Sequence, residues 1–169
     1  MAKKAAFGGI LVACALMFSY VEYMIPINIG FPGIKLGLAN MVIIVVLYGF
    51  GVKYAFAVNI VRIFIASLLF SGIFGMLFAL TGGILSLTAM ALLSRTDIFG
   101  IPGVSITGGV VHNMGQLIVA GVFIANFAVF YYLPVLLISG ALTGLLNGIL
   151  SGIIINRMSP VFLALEIKK

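Results

Sequence analysis

The residue in this sequence with the most to say about chemistry is Arg62. It lies near the middle of an apolar stretch, residues 54–70. A cation at the centre of a membrane helix costs about 2.5–3.5 kcal/mol even on the lenient insertion scale, so it needs a polar partner or a water-filled cavity. No acid occurs in a neighbouring apolar segment, and Glu22 is the one candidate partner near the outer end. An arginine so placed can bind an anion or a polar headgroup. It can also snorkel, or bond backbone carbonyls in a purely structural role. Asn59, three residues earlier, and Ala66, four later, share its helical face.

A second cluster is His112, Asn113 and Gln116. His112 and Gln116 stand four apart on one face, with Asn113 beside them, and Gly108, Gly109 and Gly115 thin the helix around them. Three polar side chains in one membrane helix either line a ligand cavity or bond neighbouring helices, typically for about 1 kcal/mol each. A third pair, Lys35 with Asn40, stands where a loop enters the next apolar segment; Lys35 also suits a plain interfacial lysine. Tyr131 and Tyr132 precede Pro134. They fit an aromatic belt or a stack on a ring-shaped ligand.

The acids exclude several chemistries. They are Glu22, Asp97 and Glu166, none close to another. No Asp-rich motif can hold Mg²⁺-diphosphate, and no carboxylate pair can run hydrolysis. A P-loop is absent, so the chain does not supply its own ATP hydrolysis. One His and one Cys argue against a zinc site and against an internal disulfide. The expectation is a non-enzyme with no cofactor.

These residues must be positioned by membrane helices. Of 169 residues, 64% are hydrophobic and 7% charged, against about 25% charged in soluble domains. Residues 63–94 and 98–156 contain no Asp, Glu, Lys or Arg, and about 20 apolar residues cross a bilayer as a helix. The pattern predicts one all-α domain over 1–169 with six transmembrane helices: 5–21, 37–50, 54–70, 73–93, 104–124 and 129–155, the last broken or bent near Pro134. The N-terminal segment also has the form of a signal peptide, with a lipoprotein-like Leu11-Val12-Ala13-Cys14. The residues after Cys14 stay apolar, which favours a retained helix. Residues 22–36 carry two prolines and two glycines and are expected to form an apolar outer lid.

Seven of the nine Lys and Arg residues (Lys3, Lys4, Lys53, Arg95, Arg157, Lys168 and Lys169) fall on the side of the termini, against Lys35 opposite. The positive-inside rule makes both termini cytoplasmic and the lid external. The net charge of +6 is therefore topological and no sign of nucleic-acid binding. No internal repeat is visible, which argues against an inverted-repeat carrier. Two rows of small residues, Ala5-Gly9-Ala13 and Gly140-Gly144-Gly148, permit close helix approach, by default within the bundle.

Several motifs together resemble the Gx transporter family: Pro32-Gly33-Ile34-Lys35-Leu36-Gly37-Leu38-Ala39-Asn40, Arg62 with Ser67-Leu68-Leu69-Phe70, Gly82-Gly83 with Ser86-Leu87, Val104-Ser105-Ile106 through His112-Asn113-Met114-Gly115-Gln116, and Tyr131-Tyr132-Leu133-Pro134. The resemblance covers about residues 5–155. The family is also catalogued as heptaprenyl diphosphate synthase component I, though prenyl elongation needs clustered aspartates and this chain has one. The family is similar to the S components of energy-coupling factor (ECF) vitamin importers. That resemblance implies a six-helix bundle with cytoplasmic termini and a solute site under the first loop. It implies a separate transmembrane coupling subunit with two ATPases, docked through the first helix, where Ala5-Gly9-Ala13 is a loose version of the docking row. Family members also occur beside flavin-modifying and quinone-related genes.

The expected function is a solute-binding subunit of an ECF-type importer in the bacterial inner membrane. The solute would be a small, anionic or partly apolar molecule of the vitamin, flavin or isoprenoid and quinone precursor class. Arg62, Asn59, His112, Asn113 and Gln116 would line the pocket, with Lys35, Asn40 and Tyr132 as further contacts. The alternative is a noncatalytic membrane subunit of an isoprenoid- or quinone-synthesis or flavin-linked redox complex.

Overall fold

The computed structural model describes residues 2–25, 36–96 and 98–164. These residues form six α-helices: α1 (Ala2–Met24), α2 (Leu38–Phe50), α3 (Val52–Ala66), α4 (Gly72–Leu93), α5 (Ile101–Ile124) and α6 (Leu133–Ala164). A π-helical turn (Ser67–Ser71) closes α3, and a 3₁₀ turn (Phe127–Tyr132) leads into α6. No strand occurs among the described residues.

Four runs are long and apolar enough to cross a membrane: Ala6–Met24, Val52–Leu93, Ile101–Ile124 and Ala128–Phe162. The second folds back on itself. Asn59 Nδ2 donates to the Gly83 carbonyl at 3.2 Å, which requires α3 and α4 to run antiparallel. The reversal falls at Gly72, whose φ of 68° and ψ of −173° lie where a Cβ would clash. Apolar side chains cover the outside of the bundle, among them Leu68, Ile73, Phe74, Val122, Ile138 and Leu142, as a lipid-facing perimeter would.

The short helix α2 takes a different part. At 13 residues it is about 20 Å long, less than a hydrocarbon core of about 30 Å. Residues 41–47 are all buried. A helix apolar on every side belongs in the interior, and α2 is packed among α1, α3 and α6. Ser151 Oγ donates to the Met41 carbonyl at 3.2 Å, and Asn147 Nδ2 donates to the Leu36 carbonyl at 2.8 Å. These contacts lay α6 parallel to α2.

The two halves of the bundle are filled differently. Leu11, Ala15, Val46, Phe50, Ala55, Leu87, Met90, Val104, Ile155 and Phe162 form a closed apolar core. They come from the middle of α1, the second half of α2, the start of α3, the end of α4, the start of α5 and the end of α6. Phe50 contacts Phe7 (ring centroids 6.0 Å apart) and Phe162 (5.5 Å), so the start of α1 and the end of α6 share this end. Exposed Lys53, Arg95 and Arg157 cluster toward the same end. The opposite half is hollow.

Two boundaries depart from the sequence reading. Pro134 does not break a helix; α6 begins at Leu133, and a proline in the first turn forfeits no internal hydrogen bond. The helix also continues past residue 155, through Pro160. The Asn156 carbonyl, which Pro160 cannot serve, accepts from Ser159 Oγ at 2.9 Å instead.

Candidate functional site

The hollow half holds a partly open cavity of about 870 Å³ lined by residues of all six helices, within the range of small-molecule sites. Its wall gathers candidate residues that the sequence scatters over about ninety positions. Arg62, Asn40, His112, Asn113, Gln116 and Tyr132 all line it. Asn59 does not; it stands behind Arg62. Lys35 and most of the 22–36 loop lie outside the described residues.

Arg62 is buried and held by two amides. Its Nη2 donates to Asn59 Oδ1 at 2.7 Å and to Asn40 Oδ1 at 3.3 Å. Asn59, 2% exposed, is itself fixed by its bond to the Gly83 carbonyl. That carbonyl is reachable because residue 83 has no side chain: a Cβ there would stand 2.8 Å from Ile63 Cδ1 and 3.1 Å from Asn59 Nδ2. Neutral oxygens therefore orient the guanidinium without cancelling its charge. Among the described residues no carboxylate makes a direct ion pair with Arg62, though Glu22 lies close enough to act on its charge electrostatically. Glu22 Oε1 accepts from the Leu38 N–H at 2.9 Å, closing α1 onto the first turn of α2. This carboxylate still lines the cavity, so the wall carries one cation and one anion among its described residues.

The α5 cluster separates by role. Asn113 Nδ2 donates to the Leu136 carbonyl at 2.8 Å and to Ser139 Oγ at 3.3 Å, tying α5 to α6. His112 stands against bare α4 backbone: a Cβ on Gly82 would lie 2.9 Å from the His112 carbonyl and 3.1 Å from its ring. Gly115 meets Gly82 from the other side, with a Cβ there 3.0 Å from Gly82 Cα. This bare crossing gives the imidazole its place on the wall. Gln116 follows one turn later on the same wall.

The two rows of small residues prove unlike. On α6, a Cβ at Gly144 would stand 2.7 Å from Ile106 Cα and from the Ser105 carbonyl, and one at Gly148 2.6 Å from Pro102 Cα. Ser105 Oγ donates to the Gly144 carbonyl at 2.6 Å across this seam. The α6 row is spent on α5. On α1, Gly9 has nothing within 4 Å of a built Cβ, and Gly9 and Ala13 are exposed; the Ala5 side chain lies outside the described set.

Asn147 and Thr143 also line the cavity and were not singled out from the sequence; Ser105, which appeared there only within a motif, lines it too. A signal was available: Ser139, Thr143, Asn147 and Ser151 recur every four residues, one polar stripe along α6.

Fold and cavity define a helical membrane protein with a ligand-sized chamber in one half of its bundle. No curated protein and no solved structure matches the chain. A family model matches residues 11–154, and the chain belongs to that family, heptaprenyl diphosphate synthase component I. The match takes in every described candidate residue on the cavity wall.

Proposed function

We propose that this protein is the solute-binding membrane subunit of an ECF-type importer, taking a small organic anion with an apolar body. The observation that carries the reading is Arg62, a buried guanidinium held by neutral amides on the wall of a cavity of about 870 Å³. A desolvated cation with no carboxylate in direct contact among the described residues favours an anionic occupant over the more distant Glu22, because a close interaction is far stronger out of water. Six spans with both termini cytoplasmic put the cavity in the outer half and the closed apolar core in the inner half. The coupling subunit and its two ATPases would dock on the outward-facing Gly9 and Ala13 of α1. In this reading the subunit binds and reorients, and the hydrolysis happens elsewhere.

The test is Arg62→Gln. Wild-type and variant protein are purified from native membranes, and the small molecules released on denaturation are compared by mass spectrometry. An anionic compound present with the wild type and depleted at least tenfold with the variant supports the reading. An unchanged compound in a folded variant contradicts it.

A second reading follows from the family's description. As a component of a heptaprenyl diphosphate synthase, the chain would be a noncatalytic membrane partner that holds other subunits in place. With Asp97 as the only aspartate, any Mg²⁺-diphosphate chemistry would belong to those subunits. Under this reading Gly9→Leu dissociates a complex, while Arg62→Gln leaves it intact and active.

A further inference from the structure

Two residues of the cavity wall each carry a buried polar atom without a hydrogen-bond partner among the described residues, and the two atoms are of opposite kind. Arg62 Nε is a buried donor without an acceptor, and Asn147 Oδ1 is a buried acceptor without a donor. Neither group can turn to relieve this. Asn147 Nδ2 donates to the Leu36 carbonyl at 2.8 Å, and a carbonyl can only accept, so the amide oxygen is fixed on the other side. Arg62 Nη2 is committed to Asn59 and Asn40. The two residues are linked through Asn40, whose Oδ1 accepts from Arg62. A Cβ on Gly37 would stand 3.1 Å from Asn147 Nδ2 and 3.6 Å from Asn40 Nδ2. One turn of chain thus carries both amides to the same corner.

Asn147 is 3% exposed and lines the cavity. Native proteins pair nearly all such atoms, and each exception calls for an explanation. Tying α6 to α2 needs only the amide nitrogen of Asn147; the oxygen has no hydrogen-bond partner among the described residues. We propose that Asn147 is a ligand-binding residue, and that the ligand carries an N–H or O–H donor beside its anionic group. The inference rests on the anion-binding reading of Arg62. A plain carboxylate satisfies Arg62 and leaves Asn147 unmet. A hydroxy acid, or an acid with an adjacent N–H, satisfies both. The remaining wall, with Phe70, Phe78 and Leu136, suits an apolar body on that headgroup.

Two single-ring acids isolate the donor. Mandelate and phenylacetate share a ring and a carboxylate, and only mandelate carries the adjacent hydroxyl. Each is titrated calorimetrically into the full-length protein in detergent micelles, as wild type, Asn147→Leu and Arg62→Gln. Asn147→Ala serves where Asn147→Leu does not fold. The wild type is expected to bind mandelate roughly tenfold more tightly, the worth of one well-made hydrogen bond to a buried acceptor. In the Asn147 variant the preference falls to about one, with phenylacetate affinity changed less than about twofold. Equal binding of the two acids by the wild type, lost in Arg62→Gln, overturns this inference and leaves the anion reading standing. A preference that survives in the Asn147 variant overturns it too. Binding of neither acid overturns both.

Discussion

Replacing Asn59 by Leu is expected to destabilise the protein through a charge it never exposes. Leu matches Asn closely in size, so the lesion is polar. Asn59 Oδ1 holds Arg62 Nη2 at 2.7 Å, and Asn59 Nδ2 serves the Gly83 carbonyl at 3.2 Å. A hydrogen bond to a charged group contributes about 1.5–3 kcal/mol and a neutral one about 0.5–1.5 kcal/mol. Losing both costs about 2–4 kcal/mol, with the guanidinium left on the longer 3.3 Å contact to Asn40. Removing one partner of a buried charge is far costlier than replacing charge and partner together. The double variant Asn59→Leu/Arg62→Met is therefore expected to be less destabilised than the two single changes summed, by about 1–3 kcal/mol. Reversible unfolding by SDS in mixed micelles measures all four corners of the cycle. The double variant regains stability and still fails to bind an anion. Additive effects would refute the reasoning, for they would mean that Asn59 does not orient Arg62.

Three further outcomes follow from the packing and the topology. Gly144→Ala places a methyl 2.7 Å from α5 backbone and is expected to cost about 1–3 kcal/mol or more, whereas Gly9→Ala, with open space around it, gains up to about 1 kcal/mol; thermal denaturation of each variant in detergent separates them. Glu22→Gln keeps an oxygen for the Leu38 N–H but removes the wall's negative charge, so phenylacetate is expected to bind severalfold more tightly by calorimetry; Glu22→Ala also loses the cap, at about 1 kcal/mol. Cysteines placed at Arg95 and Asn126, with Cys14 replaced, are expected to differ in intact cells: an impermeant thiol reagent labels position 126 and spares position 95, and the reverse pattern would invert the proposed orientation.

Much of this was legible in the sequence, because membrane helices announce themselves by long uncharged runs, and mid-helix polar residues are too costly to be incidental. Arg62, His112, Asn113 and Gln116 were visible on that ground, and the cavity gathers all four. The α2 segment could be seen as apolar but not as central. Its burial comes from being short and flanked by two helices that run parallel to each other, which periodicity does not encode. Asn59 was visible as a neighbour of Arg62 on one helical face, yet its place behind the arginine depends on the bare Gly83 carbonyl of another helix. Asn147 was hidden for a related reason. Its row on α6 lies beside the Gly140-Gly144-Gly148 row, whose small residues give the stronger local signal. Only the arrival of Leu36 fixes which amide atom is paired and which is left without a partner. The difference between the two small-residue rows was illegible too, since identical spacing serves a buried seam on α6 and an open face on α1.

The importer proposal stands or falls on whether this protein works with an ATP-driven coupling machine. Affinity purification from native membranes in mild detergent, with the bound proteins identified by mass spectrometry, asks this directly. The account predicts a transmembrane coupling subunit with two ATPases, all three lost in Gly9→Leu and retained in Arg62→Gln. Recovery of prenyl-transfer or redox subunits, with no ATPase among them, would contradict it and make Arg62 a structural residue of a membrane anchor.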